Sequence, residues 1–297
     1  MTRETIATEN LHHYLQKLYD SFPKNATLTD VVINPNGLTF GETNEGKVLN
    51  LGRTLSNTEI VRIGTLLASL SGSRLSYSHP RVSASLDNSE KRFEILIPPA
   101  VESASLSLRL HHRALFSLDD LQKRGMLTEH EAVLLKAAVK ARKNIVISGE
   151  TGAGKTTLLS SLINTIDESE RIVIIEDGSS EINCKLPNSV KIVANNTSIT
   201  GRDAVKASLR MNPDRIIYGE VRDGNAAYET LKAWHTGHNG GLSTIHAGGA
   251  HKIYDRFYEL LNEVTTSESI EMVRNTVDVC VHCAFENGRR FVKEILM

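Results

Sequence analysis

The chain has 297 residues, room for two domains that each bury a core. Its 40% hydrophobic and 23% charged content are those of an ordinary globular protein, and a formal net charge of -1 supplies no global basic field for nucleic acid. Three cysteines, Cys184, Cys280 and Cys283, are too few for a disulfide framework, and no run of about 18 apolar residues occurs. With no apolar signal core near the start either, the prediction is a soluble, cytoplasmic protein that reaches a membrane only through partners.

Along residues 10–22, Leu11, Tyr14, Leu15, Leu18, Tyr19 and Phe22 recur with a helical period on one face. Residues 28–40 alternate and turn at Pro35-Asn36-Gly37, a hairpin signal because Asn-Gly accepts positive φ. A short strand follows at 48–51. Ser56 and Glu59 make a capping box for a helix reaching about Leu70. Strand-like stretches at 82–86, 92–97 and 104–110 complete a small α+β domain over residues 1–110. Residues 111–118 read as a linker. Ser117 and Asp120 cap a helical turn, and a second helix over 128–141 leads to an apolar run at 145–147.

That run enters GETGAGKTT, which matches the phosphate-binding loop G-x-x-x-x-G-K-[ST]. The spacing has a physical basis. Gly149, Gly152 and Gly154 let the backbone of Gly149, Glu150, Thr151, Gly152, Ala153 and Gly154 wrap phosphate oxygens without Cβ obstruction. Lys155 reaches the β- and γ-phosphates, the Thr156 hydroxyl can ligate Mg²⁺, and Thr157 continues into a helix whose positive end faces the same phosphates. A chance Gly-rich turn is disfavoured by the strand before it and the apolar helix face Leu158, Leu159, Leu162 and Ile163 after it. The chain is predicted to bind ATP with Mg²⁺.

Beyond the loop, apolar runs at 171–175, 190–193, 214–218 and 241–245 alternate with helical segments, which implies a parallel sheet covered on both faces across residues 119–297. The end of the chain reads as a hairpin turning at Asn287-Gly288. Chemistry-bearing residues fall at strand ends, where open α/β sheets bind ligands. Glu176 and Asp177 close RIVIIED, although an acidic pair there is equally at home as a helix cap. Glu220 closes PDRIIYGE, well placed to orient an attacking water, while the usual metal-binding Asp before it is Gly219. His246 precedes Ala247-Gly248-Gly249 and suits a γ-phosphate sensor; His238 is a weaker candidate. Arg92, Arg109 and Arg113 fit a solvated face as well as a role. Cys280-Val281-His282-Cys283 has half the spacing of a zinc site with no second half, and its alternation fits a strand.

Taken together, GETGAGKTT, RIVIIEDGSSEI, LRMNPDRIIYGEVRDGNAA and TGHNGGLSTIHA resemble, in order and spacing, the phosphate loop, aspartate box, Walker B region and histidine box of the secretion (traffic) ATPases of type II and type IV secretion and pilus systems. The resemblance covers residues from about 140 to 250, with a looser match upstream in RFEILIPPA and SLSLRLH, and is nearest to the type IV secretion and conjugal-transfer branch. A type II branch is disfavoured because no four-cysteine insertion is present. The resemblance implies a RecA-like ATPase domain after a PAS-like N-terminal domain, with nucleotide between the two. It also implies a homohexameric ring docked on inner-membrane secretion or conjugation machinery, and no direct nucleic-acid binding. By position, Lys155 and Thr156 hold phosphate and Mg²⁺, Glu220 polarises the water with support from Glu176 and Asp177, His246 contacts the γ-phosphate side, and Arg92 and Arg109 reach the γ-phosphate. Other readings at this point are a RecA-like nucleic-acid motor, a nucleotide-switched scaffold with little turnover and, least favoured, a small-metabolite kinase.

Overall fold

The computed structural model describes residues 3–43, 46–86, 91–110, 115–178, 181–195, 198–265 and 269–297. The chain divides into two compact units, Met1–Arg113 and Ala114–Met297. Arg113 and the first part of the 111–118 stretch lie outside the described residues.

In the first unit, α1 (Arg3–Tyr19) precedes β1 (Leu28–Ile33), β2 (Thr39–Thr43) and β3 (Val48–Gly52). After α2 (Asn57–Leu70) come β4 (Arg81–Leu86), β5 (Lys91–Leu96) and β6 (Ser105–Leu110). The strands form one antiparallel sheet in the order β3-β2-β1-β6-β5-β4. The turn between β1 and β2 closes with Gly37 at φ 81°, as the Asn-Gly pair requires. Ser56 and Glu59 cap α2 reciprocally, each accepting the other's backbone N–H. Leu11, Leu15 and Leu18 of α1 and Ile60, Ile63 and Leu67 of α2 share one core with Val31, Phe93, Ile95, Leu106 and Leu108. Alternate strand residues therefore face outward, Arg92 and Arg109 among them.

In the second unit, α3 (Leu118–Lys123), capped by Ser117 and Asp120, and α4 (Glu129–Lys140) lead into β7 (Ile145–Ser148). Then follow α5 (Lys155–Ile163), β8 (Ile172–Asp177), β9 (Ser189–Ala194), α6 (Gly201–Ser208), β10 (Arg215–Val221) and α7 (Gly224–His235). The chain closes with β11 (Leu242–Ile245), α8 (Lys252–Asn262), α9 (Ser269–Thr276), β12 (Val279–Glu286) and β13 (Arg289–Leu296). The sheet runs β13-β12-β7-β11-β10-β8-β9, parallel except for the β12–β13 hairpin at one edge. Strand side chains alternate between two cores. Ile145, Ile147, Ile172 and Ile174 pack with α3, α4 and α5, whereas Val146, Val173 and Ile175 pack with α6, α7 and α8. Burial on both faces is why these strands read as unbroken apolar runs.

Two polar locks hold the amino ends of the central strands, opposite the phosphate loop. Arg215, 2% exposed, donates Nε and Nη2 to the two oxygens of Glu170 at 2.8 and 2.7 Å, and Nη1 to the Val139 carbonyl at 2.9 Å. The Arg215 guanidinium holds the Glu170 carboxyl below its ordinary pKa. Asn144 accepts the N–H groups of Gly240 and Gly241 and donates to the Thr276 carbonyl, tying β7 to the entries of β11 and β12. With their partners in place, these buried groups avoid the penalty of unsatisfied polar atoms. No helix of the described residues is long and apolar enough to cross a membrane.

Candidate functional site

The phosphate loop leaves the carboxyl end of β7. Gly149 sits at φ 148°, and a Cβ there would stand 2.4 Å from the Cys283 carbonyl oxygen, so only glycine lets the loop pass β12. Gly154, at φ 91°, is the N-cap of α5 and offers no side chain to its first turn, which also carries no acidic residue. The N–H groups of that turn are thus available to an anion. Lys155 is buried, and its Nζ donates to the Gly149 and Glu150 carbonyls at 2.8 and 3.0 Å. Burial pushes its pKa below the ordinary lysine value, with the charge of Glu220 working the other way. Thr156 and Thr157 are half-buried, and Glu150 and Thr151 are exposed.

The strand ends beside the loop gather the carboxylates. Glu220 Oε2 accepts from Arg222 Nη2 at 2.6 Å, and His246 Nε2 lies 2.6 Å from Oε1. The ring N–H is not aligned on that oxygen, which is buried without a hydrogen bond in good geometry. Burial works against the charge of Arg222, but the Glu220 hydrogen bond and the nearby Asp177 and Glu181 outweigh it and raise its pKa. Lys155, Glu220, Arg222 and Asp177 therefore share one electrostatic neighbourhood, at the carboxyl ends of β7, β8 and β10. Gly219, where a metal-binding Asp is usual, lies in an irregularity of the sheet. The β10–β11 register slips between Tyr218 and Glu220, and the Gly219 carbonyl in this bulge accepts the Thr244 hydroxyl at 2.7 Å. A bulge re-aims the side chain that follows it, here Glu220.

Glu176 is placed differently from Glu220. It is 4% exposed, and its Oε1 accepts the backbone N–H groups of Glu181 and Ile182 at 2.5 and 2.6 Å. Its Oε2 lies 3.8 Å from Lys191 Nζ, which also donates to the Ile182 carbonyl. Glu176 therefore shapes the 181–182 backbone next to Gly219, whose would-be Cβ lies 3.4 Å from Glu176 Cγ. His238 precedes β11 and so sits at the amino-terminal end of the parallel strands, away from the loop. In the first unit, Arg92 and Arg109 are cross-strand neighbours on β5 and β6, and Arg109 Nε donates to Asp30 Oδ1 at 2.8 Å. Cys280 and Cys283 face opposite cores, and no metal-holding group of His, Cys, Asp or Glu occurs among the described residues.

Sequence reasoning overlooks the contribution of β12. It lies beside β7, and His282 Nδ1 is 2.9 Å from the hydroxyl of Ser148, the last residue before the loop. The Ser148 hydroxyl can donate to the Val281 or Gly249 carbonyl, leaving its oxygen to accept from Nδ1–H. Burial pushes the His282 pKa below its ordinary 6.5, with Lys293 and His251 acting the same way and Glu294 and Glu150 against. The neutral form is thus favoured by folding. Its contribution to stability is complete above pH 6.5 and is lost as pH falls from there through the depressed folded-state value. The melting temperature should decline over that window, and His282→Asn should flatten the decline; an identical slope in the variant would exclude the effect.

Comparison with known proteins adds the family. The sequence model described as Type II/IV secretion system protein matches residues 74–295. The chain belongs to this family. Among its relatives, the conjugal transfer protein TrbB of Rhizobium radiobacter is 36% identical over 274 residues, covering 91% of this chain and 84% of that one. The type IV secretion system protein VirB11 of Bartonella quintana is 30% identical, covering 98% of this chain and 94% of its own length. The crystal structure of the VirB11 ATPase from the Brucella suis type IV secretion system aligns over 97% of both chains at 25% identity, with a TM-score of 0.50. The family member described here is accordingly an ATPase of the secretion and conjugation type, with the mixed α/β, parallel-sheet fold of P-loop ATPases.

Proposed function

We propose that the chain is a ring-forming ATPase, a homohexamer, that converts ATP hydrolysis into domain motion and so powers pilus biogenesis or DNA or protein transfer by a type IV secretion or conjugation machine. The observation that carries the chemistry is Glu220, set on a bulge between Arg222 and His246 and within electrostatic reach of Lys155. In this reading the loop N–H groups and Lys155 bind the triphosphate, and Lys155 exchanges its two carbonyl contacts for phosphate oxygens. Glu220 accepts a proton from the water that attacks the γ-phosphate, while the Arg222 hydrogen bond keeps its carboxylate from rotating. Asp177 adds negative charge that orients Arg222.

The residues also fit a magnesium ion. Thr156 sits in the open first turn of α5, and Glu220 Oε1 is buried without an aligned donor, so the pair can hold the ion through hydroxyl and water. Bound there, Mg²⁺ would neutralise charge between the β- and γ-phosphates. Arg92 and Arg109 are assigned to the γ-phosphate, from the same chain or a neighbouring one, by their match to the family's arginines. Their contact would be lost on hydrolysis and so link nucleotide state to domain movement. Arg109→Ala should lower turnover by about 10²-fold or more while ADP affinity changes little, since ADP lacks the group touched. Equal loss of ADP and ATP-analogue affinity would remove Arg109 from this role.

The relatives named for conjugal transfer and type IV secretion support docking on such machinery, and the inner face of the membrane is assigned by the family resemblance alone. Light scattering with and without Mg²⁺ and a non-hydrolysable ATP analogue, beside steady-state ATPase rate, tests the ring. A mass of six chains with turnover that rises on assembly is the expected result. Full activity in a persistent monomer would break the coupled-ring reading.

A further inference from the structure

The terminal hairpin reaches the phosphate loop itself. Arg290, the second residue of β13, donates Nε to the Gly152 carbonyl at 2.6 Å, bridging 138 positions of sequence. The same peptide plane is held from its other end, because Ala153 N–H donates to the Glu150 carbonyl at 3.2 Å. In a trans peptide the C=O and the N–H point in opposite directions, so these two contacts together fix how the plane is turned.

Among the described residues, little else at Gly152 does so. Its φ is 80°, and a Cβ there would meet nothing within 4 Å, so no packing on that side of the residue adds to the two contacts. Arg290 itself is held in place. Its guanidinium lies over the Phe285 ring, 4.7 Å from the centroid, and its Cδ passes 3.5 Å from where a Cβ of Gly154 would stand. At the root of the loop the neighbouring strand adds the His282–Ser148 contact and the Cys283 carbonyl against Gly149. The hairpin thus touches the loop at its entry and near its apex.

We propose that Arg290 is a positioning residue for the phosphate loop, holding the Gly152–Ala153 peptide from β13 so that the loop's N–H groups stay turned toward bound phosphates. The inference rests on the reading of residues 149–157 as the nucleotide site. Before nucleotide binds, Lys155 also braces the loop through the Gly149 and Glu150 carbonyls. Once Lys155 turns to the phosphates those contacts are given up, and Arg290 remains as the side-chain tether to Gly152. The chemistry at the γ-phosphate is untouched.

The loop serves phosphates common to ADP and ATP, so the expected signature is symmetric. Arg290→Ala should weaken ADP and a non-hydrolysable ATP analogue by the same factor, about tenfold, the size of one charge-assisted hydrogen bond. It should raise KM by a similar factor and leave kcat within about threefold. Arg290→Lys, which keeps a single donor, should recover part of the affinity, and Phe285→Leu, which frees the guanidinium, should lose a smaller part. Titration calorimetry on the full chain, with melting temperatures as a folding control, makes the comparison. Wild-type affinity for both nucleotides in Arg290→Ala would overturn the proposal, as would a fall in kcat alone, or a loss that Arg290→Lys does not relieve at all. The control is Lys155→Ala. If wild type binds, Lys155→Ala does not and Arg290→Ala binds like wild type, this inference alone fails; if wild type binds neither nucleotide, the nucleotide-site reading fails.

Discussion

Glu220→Gln is expected to bind ATP about as tightly as wild type and to turn it over about 10²–10⁴-fold more slowly. Glutamine keeps the size of the side chain and an oxygen for Arg222, so the bulge at Gly219 and the approach of β10 to β11 should survive. What disappears is the negative charge that takes a proton from water. The loss therefore belongs in kcat, with nucleotide affinity within a few fold. Single-turnover hydrolysis beside equilibrium binding separates the two. A variant that no longer binds nucleotide would show Glu220 to be a binding group and remove it as the base.

Lys155→Ala is the second large effect, and it should fall on binding. The Nζ is already desolvated and bonded to two carbonyls of its own loop, so the binding site contains a positive charge placed in advance. Removing it deletes charge-assisted contacts to phosphate worth about 1.5–3 kcal/mol each, and affinity should fall about 100-fold. Without nucleotide the melting temperature should barely move, because the lost hydrogen bonds are offset by no longer burying a charge. With ADP at about 100 times its Kd, wild type should gain about 2.7 kcal/mol. For a unit of this size that is roughly 5–10 °C in melting temperature. At the same ADP concentration the half-saturated variant should gain only about 0.4 kcal/mol, about 1–2 °C. An undiminished shift would place the triphosphate elsewhere.

The parts of this architecture that sequence reveals are those set by local chemistry. Ser56 with Glu59 and Ser117 with Asp120 mark helix starts because capping needs residues three apart. The glycines at 149, 152 and 154 mark the loop because their positive φ values disfavour residues that carry a Cβ. The apolar runs announce a sheet buried on both faces. What stays hidden is non-local. That β12 would lie beside β7, bringing His282 to Ser148 and Arg290 to Gly152, depends on pairing across more than 130 positions, and no local pattern encodes it.

Side-chain roles divide the same way. Glu176 and Glu220 look alike at the ends of their strands, yet one is enclosed by the backbone of residues 181 and 182 while the other stands between Arg222 and His246. Only the path of the following chain separates them. The Cys-x-x-Cys near the end looks like a partial metal site until the register of β12 sends its two sulfurs to opposite faces.

The most direct test of the central claim is a crystal structure of the chain with Mg²⁺ and a non-hydrolysable ATP analogue. The account predicts Lys155 Nζ moved from the Gly149 and Glu150 carbonyls onto phosphate oxygens. It also predicts a Glu220 oxygen within about 2.6–3.2 Å of a water in line with the γ-phosphate. Nucleotide bound with Lys155 still on its own loop, or with no water within reach of Glu220, would contradict it.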